Sequence, residues 1–136
     1  MRLSTVNEDL AQRFREVPNT NDARRLFEEI FRACTRRIES GWYALLENDQ
    51  LARQLAAGEL PRGFDFGTLS SEMDERYFDA EDEGRDGDSA TYFALARLMS
   101  ALSFASAATD ATGFSEASYE AIMALPNPKE DSATLL

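Results

Sequence analysis

The amino-acid sequence predicts an all-α domain of five to seven helices arranged around one central apolar helix at about residues 89–109. Three observations carry that expectation. Apolar residues recur at helical spacing along most of the chain, and no β-type alternation lasts beyond a few residues. Ser89 to Thr109 holds a single charged residue, Arg97, within twenty-one positions. A helix that is apolar nearly all round belongs at the centre, packed on several sides. At 136 residues and 15.2 kDa the chain is the size of one ordinary domain. Its 43% hydrophobic content suits a folded chain rather than a disordered one.

The elements follow in order. Thr5-x-x-Glu8 has the form of a capping box, and Leu10, Phe14 and Val17 come after it at helical spacing. Pro18 ends that helix, and Asn19 to Asp22 offer caps for the next. The second helix shows the clearest periodicity, with Leu26, Phe27, Ile30, Phe31, Cys34 and Ile38 on one stripe. Trp42, Leu45 and Leu46 prolong that stripe, which predicts a core Trp42 and an outward Tyr43. Gly41 marks a place where the helix can kink. Arg24, Arg25, Arg36 and Arg37 are expected to pair with Glu28, Glu29 and Glu39 at short helical spacing. Leu51 and Leu55 indicate a further helix, which Gly58 would terminate.

Gly58 to Gly67 reads as loop, and Thr68 to Phe78 as a short acidic helix with Leu69, Met73 and Tyr77 on one face. Asp79 to Asp88 reads as an acidic loop, because it combines dense charge with Gly84 and Gly87. After the apolar helix, Asp110 to Gly113 makes a turn, and Ser115 is placed to cap a last helix through Leu125. Pro126-Asn127-Pro128 stops it. The resulting organisation is one domain over residues 1–125, with the acidic loop at 79–88, and a mobile C-terminal tail at 126–136.

Composition removes whole classes of function. With no histidine and one cysteine, the chain lacks a Ser-His-Asp triad, a Cys-His pair, a His-based metal site and an internal disulfide. Cys34 lies within the apolar stripe and reads as a small core residue. Walker-type and dinucleotide-binding glycine loops are absent too. Glu72, Glu75 and Asp79 share a helical face, as carboxylates of a magnesium site would, but no second cluster accompanies them. Glu116 and Glu120 sit four apart on what reads as an outer face. As a calcium loop, a start at Asp79 leaves Ala90 where a bidentate Glu is needed, and a start at Asp82 leaves Phe93 there. The expectation is a non-enzyme with no cofactor and no metal. No apolar leader is expected before Asn7-Glu8-Asp9, and no segment is long enough to span a membrane, so a cytoplasmic location is expected.

Charge carries the functional signal. The chain has 14 basic and 25 acidic residues and a formal charge of −11. Residues 1–62 are neutral, so the whole excess lies in residues 63–136. There, Glu72, Asp74, Glu75, Asp79, Glu81, Asp82, Glu83, Asp86 and Asp88 fall within seventeen positions, offset by Arg76 and Arg85 alone. Such a surface repels nucleic acid and anionic membranes and steers basic proteins toward itself. The plain alternative is a solvated loop that keeps the protein soluble.

In size, charge and layout the chain resembles the immunity proteins that protect bacteria from nuclease toxins, although no residue motif is shared. That resemblance implies occlusion of a toxin's basic active site by Glu72, Glu75, Asp79, Glu81, Asp82, Glu83, Asp86 and Asp88, with Phe64, Phe66 or Tyr77 as apolar anchors. Two alternatives stay open. One is a DNA mimic that inhibits a DNA-binding or defence protein. The other is a structural adaptor or secretion chaperone, which would show an outward apolar stripe on the Leu51–Leu55 segment or on the last helix.

Overall fold

A computed structural model describes all 136 residues, and every regular element in it is helical. Seven α-helices are joined by short connections: α1 Glu8–Glu16, α2 Thr20–Arg36, α3 Asp49–Ala56, α4 Phe66–Asp82, α5 Asp86–Ala107, α6 Ala111–Met123 and α7 Pro128–Ser132. Two 3₁₀ segments, Arg2–Thr5 and Ser40–Leu46, complete the chain. No helix is long and apolar enough to cross a membrane.

Side-chain caps set most of the helix starts. The Oδ1 atoms of Asn7, Asn19 and Asn48 accept the N–H groups of Leu10, Asp22 and Leu51 at 2.9–3.0 Å. Asp65 and Asp110 do the same for Thr68 at 3.1 Å and Gly113 at 2.9 Å. Each cap satisfies a backbone donor that the helix itself leaves free. Asp65 also accepts from the Thr68 hydroxyl, and these bonds hold its carboxyl below the usual range.

Two caps differ from the sequence-based expectation. Thr5 is not the cap of α1, because its hydroxyl donates to the Arg2 carbonyl inside the preceding 3₁₀ turn, leaving Asn7 to cap. Ser115 is not the cap of α6. That helix begins at Ala111, and Ser115 is buried with its hydroxyl bonded to Thr112.

The second helix also ends early. It stops at Arg36 and gives way to the Ser40–Leu46 3₁₀ segment, so the apolar stripe does not continue through Trp42. A three-residue period puts Tyr43 and Leu46 on the same side. Tyr43 is therefore the core residue, 1% exposed, and Trp42 is half-buried, the reverse of the expected pair. The Tyr43 hydroxyl donates to the Thr35 carbonyl at 2.9 Å, which satisfies an acceptor near the end of α2. The arginines of this region form no ion pair with Glu28, Glu29 or Glu39. Arg25 bridges Asp22, Arg24 lies over the Phe114 ring, and Arg37, just past α2, reaches the C-terminal segment.

Four helices form the body in the spatial order α4, α5, α6, α2. Helix α5 lies between α4 and α6, and α6 packs in turn on α2. The apolar segment expected at the centre is thus flanked on both sides, and α6 shares the central position. Ala117, Ser118 and Ala121 on α6 are all buried and small, which allows close approach of its neighbours. Gly113 is needed for the same reason, since a Cβ there would stand 2.9 Å from that of Ala108. Leu51, Leu55, Ile122 and Leu125 are all buried.

The C-terminal segment is not a free tail. Residues 128–132 form α7, Ser132 and Leu135 are buried, and Arg37 donates to the carbonyls of Asp131 and Thr134 at 2.7 and 2.6 Å. Asn7 adds a bond to the Ser132 carbonyl. Two donors from distant parts of the chain therefore satisfy backbone acceptors that a mobile tail would leave to water.

Candidate functional site

The acidic residues do not form a ten-residue loop. Helix α4 continues past Phe78 to Asp82, and α5 begins at Asp86, so only Glu83, Gly84 and Arg85 connect them. Gly84 makes the reversal possible with φ 72°, a left-handed conformation that costs glycine nothing sterically. Ala80 explains why the helix persists, because it is fully buried on the core side of an otherwise charged run. A twelve-residue calcium loop, whose ligand spacing the sequence already fails, has no room in a connection of this length. No group of three or more metal-ligating side chains converges anywhere in the molecule.

The result is a rigid helical hairpin with an anionic tip. Residues 72–88 hold nine acids against two arginines, a local charge of −7. Every residue from Glu81 to Asp88 is exposed, as are Glu72, Glu75 and Asp79. Arg85 is held within the tip by Glu83 at 2.7 Å and Asp88 at 2.9 Å. Arg76 turns away, donating to the Leu45 carbonyl at 3.0 Å and pairing with Glu47 at 3.1 Å. Asp74 pairs with Arg97 at 3.7 Å. Glu72, Glu75, Asp79, Glu81, Asp82 and Asp86 are left with no ion-pair partner.

The helix dipoles treat the two sides of the tip differently. Asp86 and Asp88 occupy the first turn of α5, where negative charge is favourable. Asp79, Glu81 and Asp82 occupy the end of α4, where the field disfavours negative charge and no basic residue offsets it. These acids do nothing for the stability of α4.

The aromatic residues around the tip differ from those expected. Phe66 is buried at 6% exposure and stacks with half-buried Phe64 at 6.0 Å. Phe66 opens α4, about 24 Å from Asp82 at 1.5 Å per residue, and Phe64 lies just before it. They therefore stand away from the tip, on the side of Glu72. Tyr77 lies nearer the tip, with its ring 5.2 Å from Phe78 and 5.5 Å from Phe93. Phe78 is 65% exposed and Phe93 40% exposed, and both were absent from the expected set. Continuing the helical period of α4 beyond Phe78 would have found the first, since it lies opposite Met73 and Ala80.

Two further carboxylates prove to be structural. Glu116 does not stand free on an outer face, because it bridges Arg2 at 2.7 Å. Glu120 is only 5% exposed, and its carboxylate takes Arg97 at 3.3 Å and the Ser100 hydroxyl at 3.1 Å. Arg97 thus ties α5 to both α4 and α6. Cys34 is fully buried, and burial pushes its thiol up to about 12, which keeps it protonated and unreactive.

The chain matches no described family model, no characterised protein and no solved structure at a significant level.

Proposed function

We propose that the protein is a small inhibitor of a basic protein, acting as an immunity protein that covers the cationic active site of a toxin such as a nuclease. The observation that carries this reading is the α4–α5 tip. Six unpaired carboxylates lie along the outer side of α4 and at the start of α5, and Phe78 is an exposed ring on the same helix as five of them. A cationic cleft built to hold nucleic acid would be drawn to such a tip and would lose access to its substrate once covered. Phe78 would supply the desolvated anchor that charge alone lacks. The tip is preorganised, since both helices continue into the core and little ordering is required on binding.

A DNA mimic is the second reading, and one observation favours it. Glu72, Glu75, Asp79 and Asp82 run along one side of α4 as a regular anionic series. A phosphate backbone, however, has no counterpart to the exposed Phe78 in their midst.

The test is a tagged pull-down from the source organism, washed at low salt and again near ~0.5 M, where contacts driven by surface charge alone are screened. One basic protein retained through both washes is the expected result. Recovery of the bait alone, or of its own oligomer, would overturn the proposal.

A further inference from the structure

Beside the acidic tip the surface turns apolar. Trp42, Tyr77, Phe93, Leu125 and Pro126 line an open cleft of about 380 Å³, within the roughly 300–1,000 Å³ span of ligand-binding clefts. It lies between the α4–α5 hairpin and the chain leaving α6. Its polar edge is formed by Glu81 and Ser89, and Glu81 is one of the unpaired carboxylates. Asp82 and Glu83 follow on the adjoining turn. The cleft is therefore open to apolar groups and closed by charge to anionic ones.

We infer that this cleft takes apolar side chains from a cationic amphipathic segment of the partner, an inference that rests on the function proposed above. The occupant has apolar residues flanked by lysine or arginine a helical turn away, so that one face enters the cleft and the cations meet the unpaired Glu81 and Asp82. Charge complementarity selects this occupant over a second copy of the chain. Two copies docked through the cleft would bring together two tips of charge −7 on molecules of charge −11. Phe93 lies tilted against Tyr77, with ring centroids 5.5 Å apart, and is 40% exposed, so an incoming side chain can reach it.

Trp42 is the only tryptophan in the sequence and forms part of the wall, so its emission reports occupancy directly. The probes are two synthetic peptides of equal positive charge. One carries leucines at i, i+3 and i+4 helical spacing, and the other has serines at those positions. The leucine peptide is expected to bind roughly tenfold tighter and to shift Trp42 emission to the blue, and the serine peptide is expected to bind without a shift. Ala90 is exposed and lines the cleft, so Ala90→Gln fills it without disturbing the core. That variant is expected to remove the leucine preference and leave serine-peptide affinity unchanged. Equal binding of the two peptides, an unmoved Trp42, or a preference that survives Ala90→Gln would overturn the cleft and spare the acidic tip. Binding of neither peptide would overturn both.

Discussion

Helices α2 and α4 are each seventeen residues long, yet they use their length in opposite ways. Helix α2 buries Ala23, Leu26, Phe27, Ile30, Phe31, Cys34 and Thr35, and ends with Arg36 in the turn where a cation is favourable. Helix α4 buries only Phe66, Met73 and Ala80, and ends in acids that its own dipole disfavours. The first is built for the core. The second packs one side along α5, where Leu69, Ser70 and Tyr77 are half-buried, and presents charge and one exposed ring on its other side. The difference teaches that the outer face of α4 can lose side chains with little loss of stability, whereas the apolar stripe of α2 can lose them only at high cost.

The contrast can be broken most directly through Phe31, which is fully buried in α2. Phe31→Ala opens a cavity and is expected to destabilise the fold by roughly 3–5 kcal/mol, read from urea denaturation. A smaller loss is expected at the joint between the two halves. Glu120→Ala leaves Arg97 without its buried partner and should cost roughly 1–3 kcal/mol, at the lower end because Arg97 is partly exposed and keeps Asp74. At the far end of the scale, Phe78→Ala should change stability by no more than about 0.5 kcal/mol while weakening partner binding. A large stability loss at Phe78 would erase the distinction between the helices.

The buried side of α2 also predicts a pH dependence. Burial raises the Cys34 thiol to about 12, and burial raises the Tyr43 hydroxyl as well. The unfolded chain gives up its thiol proton near pH 8.5 and the folded chain does not. This contribution to stability is therefore full below about pH 8.5 and is lost as pH rises toward 12. Urea midpoints are expected to fall between about pH 8.5 and 10, and to fall less in Cys34→Ala. An equal decline in that variant would show that the thiol is not the cause.

The same two helices show what was legible in the sequence. Helix α2 was readable because its stripe, its Asn19 cap and the preceding Pro18 agree with one another. The far end of α4 was not, because Asp79 to Asp82 look like loop until Ala80 is known to meet the core. A helix that ends at Phe78 offers no outer face on which that ring would show, so Phe64, Phe66 and Tyr77 stand out instead. The Tyr43 and Trp42 reversal has a different cause, since a change from 3.6 to 3 residues per turn leaves little trace in composition. Glu120 was misplaced because its partner Arg97 lies on another helix, and only tertiary packing brings the two together. The acids stay close together in either reading, since proximity in sequence survives the exchange of a loop for a hairpin tip.

The most direct test of the central claim compares two charge reversals of equal size. Asp82→Lys with Asp86→Lys alters the tip, and Glu29→Lys with Glu39→Lys alters exposed positions on and just beyond α2. Both pairs change the net charge equally, so binding of the basic protein retained by the wild-type chain separates location from total charge. The account predicts that the tip variant folds normally and loses the partner, and that the α2 variant keeps it. Equal weakening by the two pairs, or retention by the tip variant, would contradict it.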